Sequence, residues 1–114
     1  MNEIKKKFIF MLAFTLMFLT ITGVGFFQFT VQHELAHQAI FKYAGVKSTV
    51  SYGLFGGMTV PDGNYPNAQA GQQANELHAI NEIVSYNGIV FTGMICMTIF
   101  ISALYLGICL RGGR

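Results

Sequence analysis

Two long stretches of the chain, residues 8–32 and 83–110, contain no Asp, Glu, Lys or Arg. Each exceeds the roughly 20 apolar residues with which an α-helix crosses a bilayer core of about 30 Å. Only 11% of all residues are charged, less than half of the share in a typical soluble domain. The sequence therefore predicts a small integral protein of the lipid bilayer, and it excludes a soluble globular domain, a disordered chain and a nucleic-acid-binding protein.

The basic residues next to these stretches predict the orientation of the chain. Three lysines, residues 5–7, precede the first stretch, and Arg111 and Arg114 follow the second, whereas the segment between them carries only Lys42 and Lys47. Because Lys and Arg accumulate on the cytoplasmic side, we expect both termini in the cytoplasm and the connecting loop outside the plasma membrane. The alternative for the first stretch is a cleaved signal peptide, but its apolar part is too long and no small-x-small cleavage site follows it.

The residue pattern predicts one mostly α-helical membrane domain, residues 1–114. Its expected fold class is two antiparallel transmembrane helices joined by a short β-hairpin-like loop, because a Gly-Gly pair among β-branched and aromatic residues favours two strands around a turn. Gly45 is expected to cap the first helix. The expected elements are a helix over residues 8–43, a strand hairpin over 47–60, a loop over 61–71 and a second helix over 72–110.

His33, Glu34 and His37 form the pattern H-E-x-x-H at the outer end of the first predicted helix. Positions i and i+4 share one helix face, so both imidazoles can bind one metal ion, with the Glu beside them. Such a set, with one coordination position left open for water, is typical of catalytic zinc. The pattern therefore predicts a Zn²⁺ site with Glu34 as the general base. The alternative is a polar helix end that merely caps a membrane span.

A catalytic zinc ion needs a third protein ligand from elsewhere in the chain. The candidates are Asp62, Glu76, His78 and Glu82. Height along the helices favours Glu82, since an ideal helix rises about 39 Å from Lys7 to His33 and about 43 Å from Arg111 back to Glu82. An antiparallel pair of helices therefore brings Glu82 level with His33 and His37, near the outer membrane interface.

Residues 81–85, Asn-Glu-Ile-Val-Ser, supply a second reason for choosing Glu82. Together with H-E-x-x-H, this segment resembles the paired motifs of the gluzincin metallopeptidases, in which an Asn-Glu-x-x-Ser segment on a downstream helix provides the third zinc ligand. The resemblance implies His33, His37 and Glu82 as ligands and Glu34 as general base. In the gluzincin pattern an Asp that orients a ligating His follows the Ser, and here Tyr86 stands in its place, so the surroundings of the ligands must differ.

The segment after the first motif carries a second resemblance. In the site-2 proteases, H-E-x-x-H lies on a transmembrane helix and a short strand hairpin follows, and residues 53–57, Gly-Leu-Phe-Gly-Gly, are similar to that arrangement. The third ligand of those membrane zincins is an Asp in an Asp-Gly motif after a further helix. Asp62 and Gly63 form such a dipeptide, but they precede the second helix, so Glu82 is favoured over Asp62.

His78 and Tyr86 are the remaining candidates near the site. His78 lies four residues before Glu82 and so on the same helix face. It is interpreted as a partner of a zinc ligand, a fourth ligand, a proton carrier or an ordinary interfacial side chain. Tyr86 is interpreted as a partner of a zinc ligand, a proton carrier, a residue that stabilises an oxyanion, or an interfacial anchor, for which Tyr is common in membrane proteins.

These patterns favour a membrane zinc metalloendopeptidase that cleaves a peptide or membrane-protein substrate. We expect the substrate to add as an extended strand to an exposed strand edge at residues 53–57, beside the zinc. Ala103-x-x-x-Gly107 offers a small-residue face for a homo-oligomer. The alternative function is a non-catalytic small membrane protein with a structural or transport zinc site, or a subunit of a larger complex.

Overall fold

The computed structural model describes residues 2–54 and 56–112. Two long apolar helices are joined by a two-stranded antiparallel hairpin, which confirms the predicted fold class. Phe55 and Arg114, which took part in the sequence predictions, lie outside the described residues. The elements are α1 (Glu3–Tyr43), β1 (Ser48–Gly53), β2 (Gly56–Pro61) and α2 (Ala68–Gly112).

Both helices are long and apolar enough to cross a membrane, by length and composition. Their large apolar side chains are largely exposed, as in Phe8 and Phe91, each 67% exposed. α1 begins at Glu3, five residues before the predicted start, because the helix continues through the lysines that flank the apolar stretch. Lysine is a good helix former, so the helix starts before the first residue of the apolar stretch.

The end of α1 is fixed by a glycine cap. Gly45 has a φ of 79°, the left-handed conformation that glycine adopts without a steric penalty. Its N–H donates to the Lys42 carbonyl at 3.1 Å, and the Val46 N–H donates to the Phe41 carbonyl at 2.9 Å. These two bonds form a Schellman motif, with buried Phe41 and Val46 at the positions that commonly make its apolar contact. The prediction that Gly45 caps this helix is confirmed.

The hairpin pairs β1 with β2 from Ser48↔Pro61 to Gly53↔Gly56. The Asp62 N–H continues this ladder by donating to the Lys47 carbonyl at 2.8 Å. Since hydrogen-bonded and non-hydrogen-bonded pairs alternate in an antiparallel ladder, Gly57 and Thr59 fall at positions whose backbone groups point away from β1. The hairpin therefore presents the outer edge of β2 along these two residues.

α2 begins at Ala68, four residues before its predicted start. Asn67 caps it, since the Asn67 Oδ1 accepts from the Ala70 N–H at 2.8 Å. Asparagine is a preferred N-cap, but the sequence interpretation assigned the whole polar segment over residues 61–71 to a loop. The cap was therefore visible in the sequence and was missed.

The chain forms two compact units. The apolar unit comprises residues 2–25 and 91–112, and its two helical segments meet through aromatic rings, with Phe100 4.5 Å from Phe18 and 5.8 Å from Phe14 between centroids. The hairpin unit comprises residues 26–90, including the hairpin, the end of α1 and the start of α2. Its small core contains Phe41, Ala44, Val46 and Ala74.

Candidate metal centre

Three potential metal ligands converge in the hairpin unit, two from α1 and one from α2. His37 Nε2 lies 3.1 Å from His33 Nε2 and 3.0 Å from Glu82 Oε1, and the third side of the triangle, His33 Nε2 to Glu82 Oε1, measures 3.5 Å. Ligands held 2.0–2.2 Å from a tetrahedral metal ion lie roughly 3.3–3.6 Å apart. The three atoms are therefore spaced closely enough to hold one metal ion.

Burial differs sharply among these three residues. The side chains of His33 and His37 are 18% and 12% exposed, whereas that of Glu82 is 63% exposed. The imidazoles are thus fixed in the protein, and the site opens on the side of the carboxylate. An open side leaves a coordination position for water or a substrate atom.

His33 is held from behind by two side chains of α2. Its Nδ1 lies 2.8 Å from Ser85 Oγ, and Asn81 Nδ2 donates to the His33 carbonyl oxygen at 3.4 Å. Ser85 is itself buried. Asn81 Nδ2 also lies 3.3 Å from His33 Nδ1. The tautomer with its proton on Nδ1, which would donate to the Ser85 hydroxyl, is the one that directs the lone pair of Nε2 into the triangle.

His37 is held in the same way, but by another histidine. Its Nδ1 lies 2.6 Å from His78 Nδ1, at the end of the ring that faces away from the triangle. The His78 ring packs 4.5 Å from the Phe41 ring between centroids. Burial lowers the pKa of His78, a residue that precedes the apolar stretch over 83–110. The charge of His37 lowers this pKa further, and Glu82 raises it.

Glu34 is the most buried polar side chain of the site, at 5% exposed. Its Oε2 accepts a hydrogen bond of 2.6 Å from Thr59 Oγ1 in β2. The carboxylate packs so closely on β2 that a Cβ at Gly57 would lie 2.5 Å from Glu34 Cγ. Gly57 is therefore required sterically, and the hairpin fixes the position of this carboxylate.

Two cavities meet at the candidate metal centre, and both are lined by His33, Glu34, Gly57 and Glu82. The first, of about 400 Å³, continues towards Phe41, Met58, Thr59 and His78. The second, of about 290 Å³, continues towards Phe29, Tyr86 and Ile89. A groove therefore passes the outer edge of β2, with one end beside residues of the two apolar stretches.

The other sequence candidates lie elsewhere or at the border of the site. Asp62 accepts from Thr49 Oγ1 at 3.0 Å, beside the start of β1. Glu76 accepts from Gln72 Nε2 at 3.1 Å, one turn earlier on the same exposed helix face. Tyr86 is 70% exposed and lines the second cavity, and its role stays a prediction.

Sequence reasoning missed the contacts by which Thr59 and Ser85 hold the site together. Ser85 had a signal, since it belongs to the Asn-Glu-x-x-Ser segment, but no role was assigned to it. Gly57 was placed at a strand edge beside the zinc, but its contact with Glu34 was not predicted. The contacts of Thr59 and Gly57 with Glu34 join elements of the chain whose packing no local pattern reveals. No protein-family model, curated protein or solved structure matches this chain.

Proposed function

We propose that this protein is a membrane zinc metalloendopeptidase whose site lies in the hairpin unit. The observation that carries the proposal is the convergence of His33, His37 and Glu82 on one point with a buried carboxylate, Glu34, beside them. A structural metal site needs no such fourth group. The combination of an open ligand set and an adjacent base is what metal-assisted hydrolysis requires.

The donor set supports zinc as the metal. Two imidazoles and one carboxylate form the ligand set of many catalytic zinc sites, whereas calcium and magnesium prefer oxygen ligands. Both histidines present Nε2 to the triangle and have Nδ1 next to a side chain that can accept a hydrogen bond from it. This arrangement allows the tautomer whose Nε2 is unprotonated, as metal binding demands.

The chain's own residues would divide the chemistry as follows. His33, His37 and Glu82 would hold the zinc ion, which would supply Lewis-acid activation of the peptide carbonyl and of the attacking water. Glu34 accepts the proton of that water and delivers it to the leaving amine. Thr59 holds the Glu34 carboxylate against β2 through the bond to Oε2, so that the other oxygen can point into the cavity.

The groove supports a peptide substrate in an extended conformation. Gly57 and Thr59 lie on the outer edge of β2 and line the first cavity. A substrate strand that pairs with this edge would pass directly over the triangle. The second cavity borders the apolar stretches at Phe29 and Ile89, which favours a substrate that enters from a membrane-spanning segment of another protein.

The site geometry supports the gluzincin-like ligand set over the one implied by the site-2 proteases. Glu82 lies within ligand distance of both histidines, and Asp62 is engaged with Thr49. In the proposed topology, both termini lie in the cytoplasm and the hairpin unit lies at the outer face of the plasma membrane. The resemblance to the site-2 proteases is then confined to architecture, in which a strand hairpin follows the helix that carries H-E-x-x-H.

The deciding experiment is the zinc content of the purified protein in detergent, compared among the wild type, His33→Ala, Glu82→Ala and Asp62→Ala. We expect about one zinc ion per chain in the wild type and in Asp62→Ala, and little in the other two variants. Asp62 is the matched control because its carboxylate binds only Thr49 among the described side chains. No zinc in the wild type after supplementation, or equal zinc in all four proteins, would refute the proposal.

A further inference from the structure

We propose that His78 is the positioning residue of the candidate metal centre: it accepts the Nδ1–H of His37 and thereby sets both the ring orientation and the tautomer of that ligand. This inference rests on the proposed function and specifies a residue that the ligand set does not require. The partner of a ligating histidine is commonly a carboxylate, a backbone carbonyl or water. Here a second histidine occupies that place.

The positions of the ring protons determine which residue donates in the hydrogen bond between His37 and His78. A neutral imidazole carries one N–H and one lone pair. When His37 Nε2 holds a metal ion, the ring proton is on Nδ1, so His37 is the donor across the 2.6 Å contact and His78 Nδ1 is the acceptor. The proton of His78 is then on Nε2.

In this assignment the His78 proton lies on Nε2, so the surroundings of that nitrogen bear on the role of His78. This nitrogen is buried and has no hydrogen-bond partner within residues 2–54 and 56–112. A buried unpaired N–H is unfavourable and calls for a functional explanation. Holding Nδ1 against His37 supplies that explanation, because the ring orientation that places Nδ1 there is the one that leaves Nε2 without a partner among the described residues.

α2 therefore contacts His37 at both ends of the imidazole. Glu82 Oε1 lies 3.0 Å from Nε2, and His78, one helical turn earlier, lies 2.6 Å from Nδ1. Phe41 packs on the His78 ring from α1, the helix that also carries His37. This contact limits rotation of His78 and transmits the rigidity of the helix pair to the ligand.

The same geometry argues against His78 as a fourth ligand. His78 meets His37 at Nδ1, the nitrogen on the far side of the ring from the triangle. A ligand would instead present a nitrogen to the point shared by His33 Nε2, His37 Nε2 and Glu82 Oε1. The fourth coordination position thus stays open on the exposed side of Glu82.

A substitution series separates positioning from mere packing. Asn places its Oδ1 where His places Nδ1, and Gln, which is one methylene longer, places its Oε1 where His places Nε2, so the two amides present the same acceptor group at different positions. Zinc affinity is measured by competition with a chelator for the wild type, His78→Ala, His78→Asn and His78→Gln. We expect His78→Ala and His78→Gln to bind about 10- to 100-fold more weakly and His78→Asn to bind close to the wild type.

Two further readouts keep the result interpretable. In the cobalt-loaded protein, the visible bands of His78→Asn should match those of the wild type, because no ligand has changed. In the zinc-loaded wild type, imidazole ¹⁵N spectra should place the His37 proton on Nδ1 and the His78 proton on Nε2. The spectra need no substituted protein, so they decide the matter even where a variant fails to fold.

The outcomes that would overturn the inference are distinct from those that would refute the proposed function. Zinc binding in the wild type with equal affinity in His78→Ala, or no advantage of Asn over Gln, would overturn the role of His78 alone. Metal-shifted ¹⁵N signals of His78 would make it a ligand and would also overturn this role. Absence of zinc from the wild type refutes the proposed function itself.

Discussion

The apolar unit and the hairpin unit differ in how they satisfy some of their polar side chains, although Thr30 of the hairpin unit also donates to the carbonyl four residues earlier, at 3.1 Å. In the apolar unit, Thr20 and Thr98 donate to the carbonyl four residues earlier in the same helix, at 2.9 and 2.8 Å. In the hairpin unit, Thr59 donates to Glu34, a residue of another element. A helix in a membrane must satisfy its polar groups internally, and Thr20 and Thr98 do so within their own helices.

The aromatic contacts show the same contrast. Phe14, Phe18 and Phe100 of the apolar unit form stacked or tilted pairs of apolar rings. The hairpin unit has such pairs too, as between Phe41 and Tyr65, but it also has contacts between imidazoles that carry hydrogen bonds, as between His37 and His78. The hydrogen bonds that join imidazoles to other side chains therefore lie in residues 26–90. If the proposed function is correct, conservative changes there should have effects that the same changes in the apolar unit do not have.

The largest difference is expected when a carboxylate is replaced by its amide. Glu34→Gln keeps the shape of the side chain and removes the base, so peptide hydrolysis should fall about 10²- to 10⁴-fold while the zinc content stays unchanged. The matched change in the apolar unit is Glu3→Gln, which removes only an exposed ion pair with Lys6 at 2.9 Å. Initial rates and zinc content, measured on both variants, test this expectation.

The measurement has a clear contrary result. Full activity in Glu34→Gln would exclude Glu34 as the general base, whatever its effect on folding. Equal losses in Glu34→Gln and Glu3→Gln would show that the hairpin unit has no special share in catalysis. Loss of zinc from Glu34→Gln would instead assign the carboxylate to metal binding.

An added methyl group should have the next largest effect. Gly57→Ala places a Cβ within 2.5 Å of Glu34 Cγ and 3.2 Å of Tyr52 Cδ1, so the carboxylate must move. A displacement of about 1 Å in a reacting group can lower a rate by roughly 100-fold, and we expect a loss of about 10- to 100-fold in hydrolysis. Zinc affinity should stay near that of the wild type, because the three atoms nearest to the added Cβ belong to Glu34 and Tyr52 and not to a metal ligand.

Gly93→Ala is the control for this change in the apolar unit. A Cβ at Gly93 meets no atom within 4 Å, and alanine favours a helix over glycine by about 1 kcal/mol. Activity should therefore be retained and stability should not fall. If Gly57→Ala hydrolyses peptide as fast as Gly93→Ala does, then Glu34 does not need its place against β2.

The sequence could predict the fold further than it could predict the site. The two charge-free stretches and the Gly-Gly pair were sufficient for the helix–hairpin–helix order, and Gly45 was sufficient for the end of α1. These features depend on local chemistry: hydropathy, turn preference and the left-handed conformation. The starts of α1 and α2 were placed too late, because hydropathy reports where an apolar stretch ends and helix caps report where a helix begins.

Within the candidate site, helix geometry alone predicts that His33 and His37 share one helix face. The rise per residue of the two helices predicts that Glu82 lies at the same height as these histidines. The contacts of Thr59 and Gly57 with Glu34 depend on how the hairpin packs against α1, and no pattern along the chain encodes that packing. The orientation of the His78 ring likewise depends on packing. The spacing of the residues places His78 on the same helix face as Glu82, but it does not predict which of the two ring nitrogens meets His37.

The smallest expected difference compares one substitution in both units. Thr59→Val removes the hydroxyl that donates to the buried Glu34 carboxylate, and the loss of a hydrogen bond to a buried charged group is expected to lower the free energy of unfolding by about 1–3 kcal/mol. Thr98→Val removes a hydroxyl whose acceptor, the Met94 carbonyl, also accepts the helix bond, so a change below about 0.5 kcal/mol is expected.

Thermal unfolding of the two variants in detergent, with a chelator present, measures this difference without any contribution from bound metal. The chelator is essential, because zinc would stabilise the folded state by mass action and hide a small change. If Thr98→Val destabilises the protein as much as Thr59→Val does, then the hydroxyls of the two units are equivalent. In that case the contrast between helix-internal and inter-element hydrogen bonds fails, and Glu34 must be held in place by packing against Gly57 alone.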